Sequence, residues 1–139
     1  MTDETERIKE KFRAYKEDAA LEMDIIREMD LTDTDELHDH LYIYVKRKYM
    51  LDDEECESDV LMDLIHASLD KSLKAPKGSA EAIELASGCG GVSSAVTKKI
   101  LLLMVIQKEL SIKFDPESVP NVKTVRDLAL LIRERRKVS

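Results

Sequence analysis

The chain has 139 residues, enough for one domain of ordinary size, with 43% hydrophobic residues to build a core but only 4% aromatics and no Trp. Its formal charge of −7 is unevenly spread: residues 1–70 hold 22 acids against 9 bases, residues 71–139 hold 7 acids against 13 bases. That composition excludes a collagenous, disulfide-rich or membrane-spanning chain. Two cysteines, Cys56 and Cys89, are too few to staple a secreted fold, so a reducing cytoplasm is expected. The polar start MTDETERIKE lacks a signal-peptide core, and the apolar run from Ile100 to Ile106 is too short for a membrane span. Nucleic acid is not an expected partner, because so acidic an N-terminal half repels phosphates.

Glycine and proline number four and three, all of them between Pro76 and Pro120, so the rest should be helix joined by short polar turns. From Thr5 to Met29 the residues Ile8, Phe12, Tyr15, Ala19, Met23, Ile26 and Met29 recur every three or four positions, which predicts a long first helix at about 4–30. Thr32 or Thr34 can cap a second helix running to about Tyr49, with Leu37, Leu41, Tyr44 and Val45 inward and Lys46, Arg47 and Lys48 complementing the dipole of its last turn. After the acidic loop Asp52-Asp-Glu-Glu55, Ser58 is the expected cap of a third helix that ends before Pro76 and carries Leu61, Leu64, Ile65, Ser68 and Leu73 inward.

Residues 79–87 suit a short helix ended by Gly88-Cys-Gly-Gly91. The next segment, Thr97 to Leu110, is apolar on all sides from Ile100 to Ile106 and flanked by good helix formers, which predicts a central buried helix. A turn through Phe114 to Asn121 leads to a last helix at about Thr124 to Arg136, with Val125, Leu128, Leu131 and Ile132 inward and Thr124 as its cap.

Two stretches, Lys108-Glu-Leu-Ser-Ile-Lys-Phe-Asp-Pro116 and Thr124-Val-Arg-Asp-Leu128, match in order and spacing the second half of one family. The chain resembles the acyl carrier proteins. The resemblance covers about forty residues well and, through Lys48-Tyr-Met-Leu-Asp-Asp-Glu-Glu55, the end of the family's first helix more loosely. It implies an all-α helical bundle forming one domain over 1–139. Residues 1–31 would be an extra N-terminal helix, and 35–139 a carrier-like bundle with a helical insertion near 56–90. The function it implies is non-catalytic: an acyl or related intermediate is tethered as a thioester on 4′-phosphopantetheine and presented to partner enzymes. A phosphopantetheinyl transferase and enzymes of fatty acid or polyketide biosynthesis would then be the partners.

The family attaches that group to the serine of an Asp-Ser-Leu triplet. Asp63-Leu-Ile-His-Ala-Ser-Leu-Asp70 is similar to the family's motif and offers Ser68, although Ala67 stands where the acid belongs and 46 positions separate it from Phe114. Ser93 and Ser94 are the alternatives, in a glycine-rich stretch just before the apolar helix and, for Ser94, 20 positions from Phe114, although no acid precedes them and Lys98-Lys99 replaces an acidic face. At most one of the three carries the group. The serine must be exposed for a transferase to reach it, a condition Ser94 meets by its position and Ser68 does not.

Competing motifs point elsewhere only weakly. Gly88 to Ser94 resembles a phosphate-binding loop, but such a loop needs a preceding strand, and Ser79 to Ala86 has helical propensity. Cys89 could have a lowered thiol pKa at a helix start but has no local base, while Cys56 sits between Glu55 and Glu57. His38 and His40, two positions apart on a helix, point in different directions and suggest a solvated acidic face and not a metal site. His66 is expected to be a partly buried helix residue. Nothing identifies an enzyme. The reading from another class is a helical interaction or regulatory module that keeps the carrier fold without the prosthetic group.

Overall fold

The computed structural model describes residues 2–30, 32–74 and 95–138, which form an all-α bundle: α1 (Thr2–Glu28), α2 (Thr34–Lys48), α3 (Leu61–Lys74), α4 (Ala95–Leu110) and α5 (Val125–Val138), with a single 3-10 turn at Val119–Asn121. The expected short helix at 79–87 lies outside the described residues. Among those described, extended pairing is limited to one antiparallel bridge, Val60 to Thr124, in which Leu61 N donates to Lys123 O (2.9 Å) and Val125 N donates to Asp59 O (2.8 Å). This bridge sets the starts of α3 and α5 side by side.

Helix starts follow short polar side chains. Asp33, and neither of the expected threonines, caps α2: its Oδ1 accepts from Asp35 N (3.0 Å) and Glu36 N (3.2 Å). A carboxylate that takes two amides at the positive end of a helix outcompetes a neighbouring hydroxyl. Thr124 caps α5 as expected, its hydroxyl accepting from Asp127 N (3.0 Å) while the Asp127 carboxylate takes the amides of Lys123 and Thr124. Those backbone hydrogen bonds hold the Asp127 carboxyl below the usual carboxylate range. Ser58 organises the turn before α3, accepting from Val60 N and donating to Asp63 Oδ2.

Two helix ends show what a shortage of glycine does. The α2 terminus closes with Leu51 N on Lys46 O and Met50 N on Arg47 O, and the α4 terminus with Ile112 N on Gln107 O and Ser111 N on Lys108 O. This double closure needs one residue in the left-handed region, usually glycine. Here the residues are Met50 (φ 60°) and Ser111 (φ 53°), which bear a cost of about 1 kcal/mol each.

α1 packs mainly on α2, α2 on α5, and α3 on α4. Ile26, Leu37, Leu41, Val45, Leu51, Leu61, Leu64, Ile65, Leu103, Ile106, Leu128 and Ile132 are completely buried in one core. α3 therefore contributes three central side chains, although it falls in the stretch read as an insertion. A second, smaller cluster of Phe12, Tyr15 and Met50 lies under the first half of α1. The sequence pattern of α4 misleads on one point. Leu102, Leu103, Ile106 and Leu110 face inward, but Val96, Ile100 and Met104 form an outward row four residues apart and are 59%, 45% and 55% exposed. The helix is apolar all round only from Ile100 to Ile106 and is buried on one side.

That sidedness has a direct measure in equilibrium unfolding. Leu103→Ala removes a buried side chain and is expected to cost about 2–5 kcal/mol, whereas Met104→Ala, one position on, should change stability by less than about 0.5 kcal/mol.

Candidate functional site

The three candidate serines have different fates. Ser68 is buried at 5% exposure, and its hydroxyl donates to Tyr49 O at 2.8 Å, filling a role inside the α2–α3 junction. In this fold a transferase cannot reach it. Ser93 and Ser94, like Cys89 and the glycine-rich stretch, lie outside the described residues, but α4 begins at Ala95, directly after them in sequence. The first turn of α4 presents Lys98, buried with its amine 5.8 Å from the Tyr49 ring, and Lys99, whose pKa is lowered by burial and by the neighbouring Lys123 charge.

His38 and His40 each pair with a carboxylate. His38 Nε2 lies 2.6 Å from Asp59 Oδ1, and its ring stacks on Tyr42, whose hydroxyl donates to Cys56 O and Ser58 O. His40 Nδ1 lies 2.7 Å from Glu22 Oε2 and joins α1 to α2. His66 is exposed, contrary to the expectation of partial burial. No group of three His, Cys, Asp or Glu able to hold a metal ion occurs among the described residues. Cys56 is half-buried and free.

The most concentrated chemistry surrounds residues 49–55, expected from the sequence as the end of the second helix and an acidic loop. Tyr15 Oη donates to Asp52 Oδ1 (2.8 Å), and Lys11 Nζ bonds Asp52 Oδ2 (2.8 Å). Lys71, from α3, donates to Tyr15 Oη (3.0 Å), Met50 O (2.7 Å) and Glu55 Oε1 (2.6 Å). Its amine also sits over the Tyr15 ring at 4.8 Å. Burial and the hydrogen bond to Asp52 push the Tyr15 phenol well up, so it is a neutral donor and not a base. Partial burial pushes the Asp52 carboxyl up, but hydrogen bonds from Lys11 and Tyr15 outweigh it and hold the group down at about 2. The network fastens the first half of α1 to the α2–α3 connection.

Beside this network a groove of about 230 Å³ opens between α1, α2 and α4. Its floor is Ala19, Ala20, Met23, Tyr44, Met50 and Val105, and its rim holds Lys16, Arg27, Arg47 and Lys48 with Asp24 and Glu109. Two exposed or half-buried arginines are fixed by carboxylates. Arg27 pairs with Asp24 (2.5 Å) and bridges to Glu109 of α4, and Arg47 pairs with Asp53 (2.8 Å) and Asp18 (3.5 Å). Burial, with the nearby Glu109 charge, pushes the Tyr44 phenol up to about 12, so the floor is uncharged across the physiological range.

Comparison with known proteins adds nothing to this geometry. No family model, curated protein or solved structure matches the chain. No described helix is long and apolar enough to cross a membrane.

The Asp52 network makes a signed prediction about acid. A carboxyl whose folded pKa is depressed from 3.8 to about 2 contributes stability above its ordinary pKa and loses it as the pH falls through that interval. Lowering the pH from 4 to 2 should release the first half of α1, read by amide exchange at residues 8–15. Asp52→Asn should already show that faster exchange at pH 6 and lose the additional acid dependence.

Proposed function

We propose that this chain is an acyl-carrier-like protein that holds an acyl or related intermediate as a thioester on 4′-phosphopantetheine attached to Ser94 or Ser93, and presents it to biosynthetic enzymes. The observation that carries the reading is the start of α4 at Ala95, directly after the two serines. Attachment chemistry needs a hydroxyl that a transferase can set beside coenzyme A, a need that the buried interior of α3 does not meet. Ser68 is accordingly left out, since its hydroxyl is buried and engaged with Tyr49 O.

The outward row Val96, Ile100 and Met104 supports the presentation step. It offers apolar contact on the helix that follows Ser93 and Ser94 in sequence. Around it stand Lys99 and Lys108, so the partners expected here carry acidic and apolar patches, unlike enzymes that dock on an acidic carrier helix. In this reading the protein itself performs no bond making; the pantetheine thiol does, in a cytoplasmic setting.

A second reading rests on the same outward row taken alone, since an exposed apolar helix face needs no prosthetic group to bind a partner. It describes a helical interaction or regulatory module.

Intact mass after incubation with coenzyme A and a broad-specificity phosphopantetheinyl transferase separates the two. The carrier reading expects a gain of one phosphopantetheine, retained in Ser68→Ala and abolished in the Ser93→Ala/Ser94→Ala double variant. An unchanged mass with several transferases overturns the carrier reading and leaves the interaction module.

A further inference from the structure

We propose that the Met104 thioether is a reversible modification site, which hydrogen peroxide oxidises to the sulfoxide ahead of the other described methionines, and that this oxidation shortens the apolar outward row of α4 without disturbing the core. The chemistry rests on neither reading of the function. Its use as a switch rests on the point common to both, that this row meets a partner.

Exposure argues first. Of the six methionines, Met23, Met29, Met50, Met62 and Met104 lie among the described residues. Met23 and Met50 are buried, and Met29 and Met62 are half-buried and packed against the main core. Met104 stands apart from these at 55% exposure, on the outer side of α4. Oxidation needs the sulfur lone pair to meet the oxidant, and a close-packed interior keeps the oxidant out. At Met104 the sulfur attacks one peroxide oxygen: an S–O bond forms as the O–O bond breaks, sulfur gives up two electrons, and the departing hydroxide takes the remaining proton. The products are the sulfoxide and water.

Position argues second. Met104 ends the row Val96, Ile100 and Met104, while Leu102, Leu103 and Ile106 on the same helix face inward. A sulfoxide replaces a flexible apolar side chain with a polar one. At position 104 the new S=O dipole is solvated and the inward contacts stay as they are, so what changes is the polarity of the outer face. The same oxidation at Met23 or Met50 puts an S=O group into a packed cluster and is damage. The exposed sulfoxide is also open to the methionine sulfoxide reductases, one for each epimer, that reverse the step.

The test treats the full chain with hydrogen peroxide, then with dithiothreitol to return any oxidised thiol, and follows each methionine by peptide mapping. Sulfoxide should form at Met104 at least tenfold faster than at Met23 and Met50, and several-fold faster than at Met29 and Met62. The chain oxidised at Met104 should keep its helical circular dichroism spectrum and elute earlier from a phenyl hydrophobic-interaction column. The two epimer-specific reductases should restore its mass and its elution, and Met104→Leu should elute unchanged after the same peroxide treatment. Reaction of Met104 no faster than Met23 and Met50, loss of helical signal as Met104 is oxidised, unchanged elution, or an equal shift in Met104→Leu would each overturn the proposal. Because no coenzyme A or transferase is present, these outcomes are independent of whether the chain carries phosphopantetheine.

Discussion

The turn at residues 49–52 is where the bundle is tied together. Its backbone leaves α2 through a methionine at φ 60°, an expensive conformation for a side chain of that size. Three further helices then converge on it. Ser68 of α3 donates to Tyr49 O, the Tyr49 hydroxyl reaches Lys98 O of α4, Lys71 of α3 donates to Met50 O, and Lys11 and Tyr15 of α1 hold Asp52. Leu51 is completely buried, and the Met50 side chain supports Phe12 and Tyr15. A glycine would relieve the strain at position 50 but would remove the apolar seat on which α1 rests. The left-handed methionine is thus a compromise between backbone preference and packing.

The charge asymmetry along the chain is partly bridged within the molecule. Arginines of α5 reach back to the acidic half: Arg126 pairs with Asp35 (3.0 Å), Arg133 donates to Thr34 Oγ1 (2.7 Å), and Arg136 donates to Ile26 O and Arg27 O, satisfying carbonyls at the end of α1. In the other direction Arg27 of α1 bridges to Glu109 of α4. Arg133 and Arg136 are therefore a clasp on α2 and α1, while Arg135 pairs with Asp115. The individual surface pairs contribute little, about 0–1 kcal/mol each, but several act at helix ends, where they also satisfy backbone groups and set which ends meet.

Much of this was legible in the sequence because helices announce themselves through local spacing. The 3.6-residue periodicity of Ile8 to Met29, the Thr124–Asp127 pair and the last-turn cations of α2 depend only on neighbours along the chain, and the structure bears out the helices they predict. What was not legible depends on contacts between segments distant in sequence. Lys71 to Tyr15 spans 56 positions and Arg136 to Ile26 spans 110; no local pattern reports them. The Tyr49 carbonyl as the partner of the inward Ser68 and the one-sided burial of α4 are of the same kind, since a local pattern or an apolar run describes a residue's chemistry and not which neighbour covers it. Of the candidate site, a helix from about Thr97, after Ser93 and Ser94 in sequence, was expected and begins at Ala95, and the groove was not foreseen. Its cations are scattered from Lys16 to Lys48, and only the pairing of α1 with α2 gathers them.

On this account, helix α4 sits at the centre of the functional proposal and turn 49–52 at the centre of the structural one, and the Tyr49 hydroxyl on Lys98 O links them. Native-state amide hydrogen exchange on the full chain tests that turn most directly. If it fastens all four helices, the amides of Met50 and Leu51 exchange only at the free energy of global unfolding, and Lys71→Met accelerates exchange in the first half of α1 and in α3 together. Exchange of Met50 and Leu51 at the rate of surface loops, or a Lys71→Met effect confined to α3, would contradict it.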